Sequence, residues 1–213
     1  MTKRTLFIAG ATGAVGQTLV PLALHQQADF VAHARPRSAA KLGQVPSAVL
    51  ELSDPKLVDV LRDRTTVVCL IGTMRKRFAA GDTYESSDIG AVRELLTAAK
   101  AAGTVDHFVL LSSVGAGAPR GAYLKAKAEA ERLVVVSGIP YTIFRPSAFE
   151  DREGAFVPGM RTLTRALGLK KYEPIKLRDL AGAILYSSLQ HAPLNSILEG
   201  ASLWELVAKA PRE

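Results

Sequence analysis

The stretch Thr5-Leu6-Phe7-Ile8-Ala9-Gly10-Ala11-Thr12-Gly13-Ala14-Val15-Gly16 decides the fold. A short apolar run, the size of one strand, ends in three glycines spaced three apart, and a helix-like segment then runs from Ala14 to His25. A glycine turn between a strand and a helix start brings main-chain N–H groups to face an anion. Gly10 permits the tight turn, Gly13 presents no Cβ to phosphate oxygens, and Gly16 lets the helix lie against the strand. The spacing is G-x-x-G-x-x-G where the common dinucleotide fingerprint has G-x-G-x-x-G. In this context the loop predicts a site for the pyrophosphate of a dinucleotide.

Outward from the loop, short apolar runs alternate with helical patterns. Strands are predicted over Thr5–Ala9, Phe30–Ala34, Ala48–Leu52, Thr66–Ile71, His107–Leu111 and Tyr141–Phe144. Helices are predicted around Val15–His25, Pro55–Arg62, Ser87–Ala102 and Tyr123–Val136. The strand runs are continuously apolar, as in a parallel sheet covered on both faces. The fold class is therefore α/β, a doubly wound parallel sheet of the Rossmann type. Beyond Arg145-Pro146 the rhythm changes to a turn-rich connection over Glu150–Gly154 and helices over Phe156–Leu169, Asp179–Leu189 and Ser202–Lys209. This segment, from about residue 146, is expected on the substrate side of a single domain spanning 1–213.

The 213 residues, 48% of them hydrophobic, suit one packed globule rather than disorder. The single cysteine, Cys69, excludes an internal disulfide and fits a reducing, cytoplasmic setting. Its apolar neighbours mark it as an inert core residue. No histidine has a partner at metal-ligand spacing, so no metal site is expected. Thr5 to Leu24 lacks charge, yet its glycines, Pro21 and interspersed polar residues make it a strand and turn, not a membrane span. The net charge of +7 lacks the aromatic platform or recognition helix of a nucleic-acid binder. A ligand with several phosphates accounts for the basic residues.

The end of the second predicted strand reads Phe30-Val31-Ala32-His33-Ala34-Arg35-Pro36-Arg37-Ser38. An NAD site places an acid near here for the ribose 2′-hydroxyl. This chain places Arg35 and Arg37 instead, with Ser38 beside them, and a guanidinium binds a 2′-phosphate by paired charged hydrogen bonds. The expected cofactor is NADP(H).

Leu110-Leu111-Ser112-Ser113 ends the fifth strand, and Tyr123-Leu124-Lys125-Ala126-Lys127 follows on a helix. Tyr123 and Lys127, four apart, share one helix face. Phenol is a weak acid, with a pKa of about 10 in water, and a neighbouring ammonium favours its ionised form. A tyrosine so placed gives a proton to a carbonyl oxygen as hydride arrives, and a serine hydroxyl steadies that oxygen. The expected catalytic residues are Tyr123, Lys127 and Ser113, with Ser112 the alternative serine. Lys127 is also placed to reach the nicotinamide ribose.

Taken together, these motifs resemble the short-chain dehydrogenase/reductase superfamily in its atypical branch. The resemblance rests on Gly10-Ala11-Thr12-Gly13-Ala14-Val15-Gly16, Leu-Leu-Ser-Ser before Tyr-x-x-x-Lys, and Phe144-Arg145-Pro146-Ser147. Cys69-Leu70-Ile71-Gly72-Thr73-Met74-Arg75, and Asp151-Arg152 after Phe144-Arg145-Pro146, are similar to the Tat-interacting-protein-like and NmrA-like oxidoreductases. The resemblance implies NADP(H) contacts from Gly10, Thr12, Gly13, Ala14, Val15 and Arg35. It places Leu52 near adenine and Gly72 and Thr73 near the nicotinamide ribose, with Arg75 at the cofactor phosphates and Ser112 among the cofactor contacts. It also implies Ser147, Ala148 and Phe149 as substrate-pocket residues.

The expected function is an NADPH-dependent oxidoreductase passing hydride to a small carbonyl, enone or quinone. The alternative is a non-catalytic NADP(H)-binding redox sensor or regulator, which has no chemical need for the Tyr123/Lys127 pair. The partner is a small molecule, with no nucleic acid and no membrane. A homodimer through the helices over 87–102 and 123–136 is compatible with the sequence. The segment Arg75–Glu85 reads as a loop covering the bound nicotinamide.

Overall fold

The computed structural model describes residues 3–72, 83–150, 162, 164 and 166–211. Among the described residues there are seven strands: β1 (Thr5–Ala9), β2 (Asp29–Ala34), β3 (Ser47–Val49), β4 (Thr66–Cys69), β5 (His107–Leu111), β6 (Tyr141–Phe144) and β7 (Ser196–Leu198). They form one sheet in the order β3-β2-β1-β4-β5-β6-β7, and every neighbouring pair is parallel. The helices are α1 (Ala14–His25), α2 (Lys56–Leu61), α3 (Gly90–Ala102), α4 (Gly121–Val135), α5 (Leu177–Gln190) and α6 (Ala201–Lys209).

The pleat of β1 explains the two layers. Successive side chains point to opposite faces, so Leu6 and Ile8 pack with Leu19 of α1, Ile184 of α5 and Leu206 of α6. Phe7 and Ala9 pack on the other face with Leu57 of α2, Leu95 of α3 and Val134 of α4. Both faces being covered, apolar residues run continuously along the strands, as the sequence predicts. The strand order reverses between β1 and β4, and in such sheets the ligand crevice lies outside the carboxyl ends at that switch point.

Three elements differ from expectation. The strand predicted over Ala48–Leu52 stops at Val49; Leu50 still bonds to Ala34 of β2, and Glu51 and Leu52 line the crevice. The helix predicted from Ser87 becomes α-helical only at Gly90, after a π-turn over Glu85–Ile89. The three-residue strand β7 was not expected, being shorter than the periodicity needed to reveal it. Most of the helix over Phe156–Leu169, the connection beyond Glu150 and most of the loop over Arg75–Glu85 lie outside the described residues.

Cys69 is fully buried, and burial pushes its thiol up to about 11, so it is inert as a nucleophile. No helix among the described residues is long and apolar enough to cross a membrane.

At the amino end of the sheet, away from the crevice, His107 is wholly buried against Thr142, with the His191 ring 5.3 Å away and Asp106 and Arg4 alongside. Burial pushes the His107 pKa down to about 3, helped by the charges of His191 and Arg4. The unfolded chain takes up that proton near pH 6.5. Stability is therefore complete above pH 6.5 and falls as pH drops toward 3, by at most about 1.4 kcal/mol per pH unit from this residue. Urea unfolding at pH 7.5 and 5 should show the loss, and His107→Asn should reduce it. His33, also pushed down by burial, supplies part of the remainder.

Candidate functional site

A cavity of about 320 Å³ opens at the carboxyl ends of β1, β2, β3 and β4. Its floor is the glycine loop. The Gly13 N–H donates to the Gly10 carbonyl at 3.0 Å, which closes the turn, and α1 begins at the next residue. The first N–H groups of a helix have no acceptor within it. The first turn of α1 carries no acidic residue, so nothing there opposes a phosphate. A Cβ on Gly16 would lie 2.4 Å from the Gly10 carbonyl oxygen and 2.6 Å from the Ala11 Cα. A Cβ on Gly10, whose φ is +86°, would meet the Ile71 nitrogen at 2.9 Å. The loop is thus folded too tightly for side chains, and this cradle fits a dinucleotide pyrophosphate.

Of the cofactor residues expected from sequence, Gly10, Thr12, Gly13, Arg35, Ser38, Leu52 and Gly72 line the cavity. Ala14 and Val15 stand at the start of α1, where the Val15 side chain is buried in the core, and neither lines the cavity. Arg37 is exposed and does not line the cavity. Thr73 and Arg75 lie outside the described residues. The cavity also gathers residues that sequence reading missed. Glu51 and Ser53 come from the turn after β3, and Ser86, Ser87, Gly90 and Glu94 come from the π-turn and α3. His33, on β2, is buried with a ring nitrogen 2.9 Å from the Leu50 carbonyl, and so holds the ends of β2 and β3 together beneath the cavity.

On the far side of Gly72 stand the expected catalytic residues. A Cβ on Gly72 would lie 3.0 Å from Lys127 Nζ, so the ammonium sits directly behind this cavity residue. Lys127 Nζ is 6.0 Å from the centroid of the Tyr123 ring, as the shared helix face requires. The Tyr123 ring is partly exposed and packs 5.7 Å from that of Tyr84, another residue missed from sequence. Lys127 also approaches the carbonyls of Ile71 and Leu111, at 3.4 and 3.3 Å, and Asp88 Oδ1 at 2.9 Å. Burial works to lower the Lys127 pKa, but the groups around it, Asp88 first and then Tyr123 and Cys69, together outweigh burial and hold the ammonium above its ordinary range.

The two serines separate. Ser112 is buried and donates its hydroxyl to Glu131 of α4, whose carboxylate is also gripped by Arg145 at the end of β6. This buried knot ties β5, β6 and α4 together, and it occupies the hydroxyl that sequence reading placed at the cofactor. Ser113 is half-buried, and among the described residues its hydroxyl makes a long 3.4 Å contact with the Val114 carbonyl. Ser147 donates to the Glu173 carbonyl at 2.5 Å, and Phe149 forms a β-bridge with Ile175. The Ser147 hydroxyl and the Phe149 main chain therefore anchor the C-terminal segment, while Ala148 is exposed.

The fold and the cradle define a Rossmann-type dinucleotide-binding protein. A family model described as NAD(P)H-binding matches residues 10–190, and the chain belongs to that family, as an NAD(P)-binding protein of the atypical short-chain dehydrogenase/reductase type. Among curated relatives, the chloroplastic protein TIC 62 of Pisum sativum is 30% identical over 183 residues, covering 71% of this chain and 34% of that protein. The chain thus spans about a third of that relative's length. Among solved structures, an oxidoreductase of the short-chain dehydrogenase/reductase family from Burkholderia thailandensis is 25% identical, with a TM-score of 0.60 over 88% of this chain and 86% of that one. The NADPH-dependent quinone oxidoreductase QOR2 of Escherichia coli, solved with NADPH, shares the fold with a TM-score of 0.67 at 19% identity, covering 92% of this chain and 68% of that one.

Proposed function

We propose that the protein is an NADPH-dependent reductase of a small carbonyl, enone or quinone. The observation that carries this reading is the assembly of Tyr123 and a buried, charged Lys127 directly behind Gly72 of the cavity. A protein that only senses a dinucleotide has no need for a proton donor and a charged lysine at that place.

The residues divide the work. Main-chain N–H groups at the start of α1 receive the pyrophosphate. Arg35, with Ser38, holds a 2′-phosphate on the β2 side of the cavity, and Glu51 offers an acceptor to an amino group of the base. When bound, the nicotinamide supplies the hydride. Lys127 anchors the ribose next to it, Ser113 donates a hydrogen bond to the substrate oxygen, and the Tyr123 hydroxyl delivers the proton to that oxygen. Tyr84 forms an aromatic wall beside Tyr123. The presence of a quinone oxidoreductase among the structural neighbours supports trying quinones first. A cytoplasmic location, a small-molecule substrate and a single domain belong to the same proposal.

The test is steady-state oxidation of NADPH and NADH against quinones, enones and small aldehydes, with wild type and Arg35→Ala. A hydrogen bond to a charged group contributes about 1.5–3 kcal/mol. Arg35→Ala should therefore lower kcat/KM for NADPH by about 10- to 100-fold, and leave that for NADH nearly unchanged. Equal losses with both nucleotides would remove Arg35 from 2′-phosphate recognition.

A further inference from the structure

We propose that Asp88 is a positioning residue for the reaction: its carboxylate keeps Lys127 charged and fixes the ammonium behind Gly72, on the β4 side of the cavity. The inference rests on the reading of Lys127 as part of a reductase site.

Three observations carry it. Asp88 Oδ1 lies 2.9 Å from Lys127 Nζ, and the two side chains are 0% and 5% exposed. An ammonium removed from water to this degree sheds its proton unless a charge or several acceptors hold it. Among the described residues, the Ile71 and Leu111 carbonyls approach Nζ at longer distances, the Tyr123 ring lies 6.0 Å away, and Tyr123 and the buried Cys69 thiol are the other titratable groups that act on the lysine. Asp88 is the only carboxylate that the described residues place on Nζ.

The backbone delivers Asp88 to this position by an irregularity. The chain runs as a π-turn over Glu85–Ile89 before α3 begins at Gly90. π-turns are rare and occur often at functional sites. Here the turn buries Asp88 and Ile89 while Glu85 stays on the surface with Arg93. The same segment contributes Ser86 and Ser87 to the cavity wall. One turn of chain thus shapes the cavity and sets the lysine.

The consequence has a sign that separates it from ordinary packing. In wild type, Lys127 is held above its ordinary range, so its contribution to stability persists at neutral pH and is lost only as pH rises through that raised value. In Asp88→Asn the lysine is buried without its counter-charge and its pKa falls below that of the unfolded chain. Stability of the variant then rises with pH from that lowered value toward about 10.4.

Urea unfolding of the full chain without nucleotide, at pH 6.5 and 9.5, tests this directly. At pH 6.5 the folding equilibrium constant of Asp88→Asn should be at least tenfold below that of wild type, and the gap should narrow clearly at pH 9.5. In parallel, NADPH turnover by the variant should fall steeply over that pH interval relative to wild type, because the ammonium is lost. A purely structural role would lower turnover by the same factor at each pH. If Asp88→Asn does not fold, Asp88→Asn/Lys127→Met, which removes both charges, should fold; failure of both overturns the proposal. A stability gap that is absent, or constant with pH, overturns it as well. If the gap narrows as expected while wild type turns over nothing, the ion pair stands and the reductase reading falls.

Discussion

Gly16→Ala is expected to lower stability by about 3 kcal/mol or more and to abolish dinucleotide binding. The added Cβ would lie 2.4 Å from the Gly10 carbonyl oxygen, 2.6 Å from the Ala11 Cα and 2.6 Å from the Ala11 carbonyl oxygen. All three atoms are main chain, so no side-chain rotation relieves the contact. Forcing one methyl into a well-packed site commonly costs about 1–3 kcal/mol, and a rigid backbone neighbour sets the upper end. Relief requires α1 to move off the loop, and that movement opens the cradle. A control with the opposite sign is available in Gly182 of α5, where a Cβ meets none of the described residues within 4 Å. Gly182→Ala should stabilise by about 0.5–1 kcal/mol through helix propensity alone. Urea unfolding measures both, and nucleotide titration shows whether Gly16→Ala has lost its site.

Tyr123→Phe is expected to lower kcat by about 10²- to 10⁴-fold, the usual contribution of a positioned general acid, with NADPH affinity unchanged. Phenylalanine keeps the ring that packs 5.7 Å from Tyr84 and removes only the hydroxyl. The substitution removes no group assigned to nucleotide binding, so the nucleotide should bind as before. Single-turnover oxidation of NADPH separates binding from chemistry. Retention of full turnover in the variant would assign the proton to another group.

The fold was legible because its signals are local. The run Leu6–Ala9 followed by glycines fixes a strand, a turn and a helix within twenty-one residues, Thr5 to His25, and β1 and α1 occupy those positions. The place of Arg35 and Ser38 in the cavity lining was legible for the same reason: they follow directly on β2, at the end of the sheet where the crevice opens. What sequence reading missed depends on residues far apart in the chain. Asp88 and Lys127 meet across 39 positions, and the π-turn that buries Asp88 breaks the 3.6-residue period used to read the helix. Glu131 and Arg145 pair between α4 and β6 and draw in Ser112, so the choice between adjacent serines rests on a tertiary contact. Ser147 sits in the expected segment after β6, yet its hydroxyl is engaged by Glu173, a carbonyl 26 residues away. Glu51 and Leu52 reach the cavity because the chain leaves the sheet after Val49, earlier than its apolar pattern indicates.

The most direct test of the account is titration of the purified protein with NADPH and, separately, with NADH, following nicotinamide fluorescence. NADPH should bind saturably and at least tenfold tighter than NADH, about 1.4 kcal/mol or more from the 2′-phosphate. Tighter binding of NADH would reassign Arg35 and Ser38, and absence of binding by either nucleotide would contradict the reading of the glycine cradle and the proposed reductase together.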